Sequence, residues 1–161
     1  MSTRRHYLAA VVLCLGLAFG SAGADPSRPF DKYGTDVSYS GTPARLDTSH
    51  PIWKAVPDMV KDDVAGELGQ GANFAGAYRL VTIGCGTACR TVMAIDLRSG
   101  RPHIAPLAAS AEITFRGDSR LIVFESDPTT GEPAHYLVLD GGVIVEIEAP
   151  GSSGDPSTGP R

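Results

Sequence analysis

The sequence predicts a mainly β, α+β fold: an antiparallel meander of about five to six strands with one N-terminal helix packed on it. Three observations carry this expectation. Short apolar and β-branched runs, bounded by glycine and polar turns, recur from residue 77 to residue 147, as strands do. The connections between them are only a few residues long, and a parallel crossover needs a dozen or more, so neighbours must pair antiparallel. Only residues 51–68 repeat apolar side chains at spacings of three and four. A partial β-propeller or a small open barrel would show the same strand spacing.

The 161-residue chain is of single-domain length, and its 42% hydrophobic and 20% charged content suits a buried core rather than disorder. Residues 1–24 read as a signal peptide. Arg4, Arg5 and His6 form the positive start, residues 8–20 the apolar run, and Ala22-Gly23-Ala24 the cleavage pattern ahead of Asp25. The arginine pair also resembles a twin-arginine export signal, so the export route stays open. The apolar run is short for a transmembrane helix, and no stable membrane insertion is expected. Cleavage after Ala24 would give a periplasmic or secreted protein. Without Arg4 and Arg5, 12 Lys+Arg face 18 Asp+Glu, a charge of −6. Such a surplus disfavours nucleic acid and suits a cationic envelope or extracellular partner.

Residues 25–50 are an irregular lead-in, rich in turn formers and pinned by Phe30, Tyr33, Tyr39 and Leu46. Residues 51–148 form the helix-plus-sheet domain. Its helix has Ser49 as the expected cap and Trp53, Val56, Val60, Val64 and Leu68 as the sheet-facing stripe. Pro57 moves the regular start toward Asp58.

Strands are expected over 77–84, 90–97, 111–115, 121–125, 135–139 and 143–147, with a proline-interrupted segment around Ile104. The four consecutive apolar residues from Leu121 indicate burial on both faces. Asp140-Gly141-Gly142 is the strongest hairpin signal. After it, Val143, Val145 and Ile147 are expected to face the core, with Glu146 and Glu148 in water. Residues 149–161 read as a disordered tail.

Candidate chemistry centres on residues 73–89. Export leaves two cysteines, Cys85 and Cys89, and an even count in an oxidising compartment favours a disulfide. Their spacing demands a chain reversal, since bridged Cα atoms lie within about 7 Å. The simplest geometry is a three-residue hairpin loop with the cysteines facing across the strands. A bridge this short contributes roughly 2 kcal/mol and mainly holds a loop shape. The rival reading is a redox pair, with Arg90 favouring thiolate. The C-x-x-x-C spacing and the lack of a following helix count against it. A candidate binding surface comprises Asn73, Phe74, Tyr78, Thr87 and Arg90. Its structural alternative is a backbone-bonding Asn73 with two packing aromatics.

His50, His103 and His135 lie far apart in sequence, so no metal site, cofactor or catalytic set is expected. Ser126, Asp127 and His135 lack a G-x-S-x-G elbow. Arg116-Gly117-Asp118 reads as a strand-connecting turn.

Asn73-Phe74-Ala75-Gly76-x-Tyr78, then Gly84-Cys85-Gly86-Thr87-x-Cys89, Asp96 with Gly100, and Asp118-Ser119-Arg120-Leu121 together resemble an uncharacterised family of small exported bacterial proteins. The likeness spans roughly residues 39–145. It departs at Ala77 and Ile83, where that family carries His and Trp. The resemblance implies export, one domain and a paired Cys85 and Cys89, and it implies no activity. The expected function is a non-enzymatic binding or inhibitory module of the cell envelope, with a peptidoglycan hydrolase such as lysozyme as one target. The alternative is a periplasmic thiol–disulfide protein using Cys85 and Cys89.

Overall fold

Short apolar runs joined by connections of two to ten residues assemble the chain into seven antiparallel strands divided between two sheets. The structure is a computed structural model and describes residues 28–150. The expected signal peptide and the tail beyond residue 150 lie outside the described residues.

The first sheet contains β1 (Tyr78–Gly86), β2 (Cys89–Asp96) and β3 (Pro102–Ile104), in that order. The second contains β4 (Ile113–Phe115), β5 (Leu121–Phe124), β6 (His135–Asp140) and β7 (Val143–Ile147), again in chain order. The expected antiparallel, mainly β class holds, and neither sheet closes into a barrel. The proline-interrupted segment is itself a strand. Pro102 is tolerated because β3 is an edge strand.

Two sheets form because the strands alternate between two buried faces. Leu80, Val92 and Ala94 of the first sheet meet Ile122, Phe124, Leu137, Leu139 and Ile144 of the second, with Phe74 between them. The outer face of the first sheet carries Val81, Ile83, Met93 and Ile95 against Trp53, Val64 and Leu68. The outer face of the second carries Leu121, Val123 and Val138 against Phe30 of α1 (Arg28–Lys32). β5 is buried on both faces, as its unbroken apolar run requires.

The helical segment is broken rather than continuous. A 3-10 turn at Pro51–Lys54 precedes α2 (Asp58–Glu67), and a second turn at Leu68–Gln70 ends it. Pro57 stands at the α2 N-cap, so the regular helix starts at Asp58. The expected Ser49 cap is corrected. Ser49 bonds to Asp47, and His50 Nδ1 instead accepts the Ile52 N–H at 3.4 Å.

The expected facing of β7 is corrected at Val143 and Val145, whereas Ile147 packs on the outer cluster and Glu146 and Glu148 are exposed as expected. Asp140 pairs with Val143 and Leu139 with Ile144, so Ile144 enters the central core. Val143 and Val145 lie on the opposite face near the sheet edge, 59% and 41% exposed. The alternation itself holds, but pairing opposite Leu139 gives the inner face to Ile144, and of the other set only Ile147 reaches cover, in the outer cluster.

The lead-in straps across the end of both sheets. Tyr39 N–H donates to Gly76 O at 2.7 Å, Ala44 N–H to Leu97 O at 2.8 Å, and Asp47 N–H to Gly100 O at 2.9 Å. Ser119, fully buried, ties it further by donating its Oγ–H to Phe30 O at 2.8 Å.

Candidate functional site

Asn73 is held at the start of β1 by hydrogen bonds on both sides of its amide. Its Nδ2 donates to Leu80 O at 3.1 Å, and Leu80 N–H donates to Oδ1 at 2.6 Å. Its side chain thus pairs with the outer edge of β1 as a neighbouring strand would. The turn that follows places Ala75 and Gly76 at positive φ, 46° and 70°. This turn docks on the Gly117–Ser119 turn, with Ala75 N–H on Ser119 O and Gly76 N–H on Gly117 O.

Phe74, expected on the recognition surface, is corrected to the core. It is 0% exposed and meets Phe115 edge-on at 6.3 Å. The turn that begins at Phe74 sets its side chain between the two sheets, where a large apolar ring is most stable.

Tyr78 is half-buried at the beginning of β1. Its ring lies 6.0 Å from His103 and 5.8 Å from the Arg98 guanidinium. Together with Arg98 and Arg120 it lines a groove of about 240 Å³ between the sheets. Burial pushes the Asp96 carboxyl upward, but hydrogen bonds from the Arg98 side chain and backbone outweigh it and leave the group below its ordinary value. The pair holds Arg98 charged. The groove has no short-range motif, because its arginines come from turns 22 residues apart.

The cysteine hairpin stands at the other end of β1. The β1–β2 ladder runs from Tyr78 opposite Asp96 to Gly84 opposite Arg90, then shifts by one residue, so that Gly86 faces Cys89. Cys85 is therefore an extra, bulged residue, and Thr87-Ala88 is a two-residue turn. This corrects the expected three-residue loop with directly facing cysteines. Gly86 at φ 138° and Ala88 at φ 55° take the strain of this geometry. The disulfide Cys85–Cys89 closes it, with 5.1 Å between Cα atoms.

The tip stands clear of the body. A Cβ built on Gly84 or Gly86 would meet nothing within 4 Å. Cys85, Thr87, Ala88 and Arg90 are exposed. Below it the hairpin is anchored: Arg90 and Ala109 exchange both backbone hydrogen bonds at 2.9 Å, and Thr91 Oγ1 donates to Leu107 O at 2.9 Å.

The structure thus divides the five expected surface residues. Thr87 and Arg90 share the hairpin tip. Asn73 and Tyr78 lie at the far end of β1, about 25 Å away along the strand, and Phe74 is internal. Sequence proximity concealed this separation because an extended strand places neighbours in sequence far apart in space.

Other polar groups satisfy one another. Arg116 Nε and Nη2 donate to Asp118 at 2.9 and 2.7 Å and Nη1 donates to Asp31 at 2.8 Å. The Arg116-Gly117-Asp118 tripeptide is therefore turned in on itself. His135 contacts Glu146 at 2.7 Å and Glu132 at 3.6 Å, while Asp127 accepts the Thr129 N–H at 2.8 Å. Ser126, Asp127 and His135 do not form a hydrogen-bonded triad. Among the described residues no three His, Cys, Asp or Glu side chains are grouped to hold a metal, and no helix is long and apolar enough to cross a membrane.

The fold and site together define a two-sheet antiparallel β protein that presents a disulfide-closed hairpin. Compared with known proteins, the chain matches no family model, no curated sequence and no solved structure.

Proposed function

We propose that this is an exported protein of the cell envelope or extracellular space, and that it works as a non-enzymatic binding or inhibitory module. The observation that carries the reading is the Cys85–Cys89 hairpin tip, closed by a disulfide, anchored at its base and open to space where Gly84 and Gly86 lack side chains. A loop ordered before binding loses less conformational entropy on complex formation. Rigid scaffolds present recognition loops in this way. Thr87 and Arg90 supply its exposed polar groups.

Export follows from residues 1–24 and agrees with a disulfide, which persists in oxidising compartments. The resemblance to small exported bacterial proteins points the same way. The acidic surplus of the chain without its signal favours a cationic partner, and a peptidoglycan hydrolase such as a lysozyme fits that description. The test is inhibition of a lysozyme panel at several salt concentrations, alongside capture of periplasmic partners. Inhibition or capture that Thr87→Arg abolishes is the expected result. A tip whose alteration changes no interaction of the protein would overturn the proposal.

The second reading, thiol–disulfide exchange, is favoured by the exposure of Cys85. Exposed disulfides are the more readily reduced. A reduction potential below about −300 mV would mark the bridge as structural and exclude it.

A further inference from the structure

β1 carries an open pairing edge beside the hairpin tip. Its outward-facing backbone groups belong to every second residue. Tyr78 and Leu80 direct theirs away from β2 and spend them on Phe74 and Asn73. Val92 and Arg90, which face Thr82 and Gly84 across the ladder, turn theirs away from β1, to Ala105 and Ala109. The same alternation sends the N–H and C=O of Thr82 and Gly84 outward, and these have no partner among the described residues. Asn73 therefore closes the edge at Leu80, and beyond it the edge is bare.

Natural sheets usually blunt such edges with charges, proline or short length. The other edges here show those devices: β3 and β4 are three residues long, β3 starts with Pro102, and β7 carries Glu146. From Leu80 to Gly86 β1 has no charge and no proline. Arg90 stands directly across from Gly84 in the ladder. It makes no side-chain hydrogen bond or ion pair with a described residue, and the absent glycine side chain leaves its path to the edge unobstructed.

The geometry points to strand addition: an extended segment of a partner protein, bearing a carboxylate opposite Gly84, pairs with β1 at Thr82 and Gly84 while its carboxylate meets Arg90. Backbone pairing supplies affinity and the ion pair sets the register. A second copy of this chain fits less well, because antiparallel pairing across Gly84 would bring two Arg90 guanidiniums to one edge. This inference rests on the proposed binding role of the hairpin and names the form of partner that it takes.

The test uses a capped seven-residue peptide of alternating threonine and valine with one central glutamate. Two control peptides replace the glutamate with lysine or N-methylate alternate amides. Amide hydrogen exchange is read by NMR on the intact domain. At a peptide concentration ten times its Kd, exchange at Thr82 and Gly84 is expected to slow about tenfold, with neither control doing so. Arg90→Glu should prefer the lysine peptide. Thr82→Pro, which removes an outward donor and leaves the β1–β2 ladder whole, should weaken binding about tenfold. Unchanged exchange at both residues at millimolar peptide would overturn strand addition. So would protection of both residues without peptide that grows with protein concentration, which would assign the edge to a second copy. If a captured envelope protein perturbs Thr87 but leaves the Thr82 and Gly84 amides in exchange, strand addition fails and the binding role of the tip survives.

Discussion

The side-chain amide of Asn73 pairs with both backbone polar groups of Leu80, donating at 3.1 Å and accepting at 2.6 Å. Leu80 is buried, so both of its backbone groups depend on this one side chain. Asn73→Ala is expected to cost about 2–3 kcal/mol in urea unfolding, the penalty for leaving buried polar groups unpaired. Exchange of the Leu80 amide should rise more than that of Val81, whose backbone faces β2.

Glycines separate by where their missing Cβ would fall. A Cβ on Gly76 would lie 1.7 Å from Val37 O, and one on Gly100 would lie 1.9 Å from Arg45 O, each at φ above 70° or close to it. Gly76→Ala and Gly100→Ala should each cost on the order of 3 kcal/mol or more. Gly66→Ala, inside α2 with nothing within 4 Å, should stabilise by about 0.5–1 kcal/mol. Thermal unfolding of the three variants checks the contrast in sign.

Phe74 fills the space between the sheets. Phe74→Ala is expected to lose about 3–5 kcal/mol, whereas Thr87→Ala at the exposed tip should stay within about 0.5 kcal/mol. Paired denaturant titrations distinguish the packing residue from the surface one.

Replacing both Cys85 and Cys89 by serine should leave the fold intact and cost about 2 kcal/mol, the closure entropy of a short loop. Exchange at Gly86, Thr87 and Ala88 should quicken while that of Met93 and Ile95 keeps pace with global stability. Circular dichroism and exchange on the oxidised and serine forms read both effects.

His103 gives stability a pH dependence. Burial holds its imidazole below the ordinary value of 6.5, and the charge of Arg101 pushes in the same direction. The unfolded chain therefore binds the proton more readily. The contribution of this group is complete above pH 6.5 and is lost as the pH falls from there through the folded value. The urea midpoint should decline over that window, and His103→Gln should flatten this part of the decline.

Much of the sheet was legible because strand formation is governed by local rules. The apolar run from Leu121 to Phe124 announced two buried faces, and Asp140-Gly141-Gly142 announced its hairpin. The facing of Val143 was misjudged because alternation states which residues share a face and leaves open which face is inward. That choice belongs to the register with Leu139. Ser49 lost the capping role to His50 through a competing bond to Asp47, a local contest between two acceptors. The site was less legible. Asn73 stood out as the chain's only asparagine, yet its partner lies seven residues on, across a turn that folds the chain back on β1.

By itself the sequence determined most of the strands, their antiparallel sense, the helix start at Asp58 and the reversal at Cys85 to Cys89, since each depends on periodicity, turn chemistry or reach within a few residues. Only the tertiary structure decided that the strands divide into two sheets, that Phe74 is buried between them, and that the Asn73 turn and the cysteine hairpin stand at opposite ends of one strand. Those outcomes depend on which faces bury each other and on the length of an extended chain. It also left β1 capped at Leu80 and bare at Thr82 and Gly84, because the one side chain able to imitate a neighbouring strand reaches a single residue.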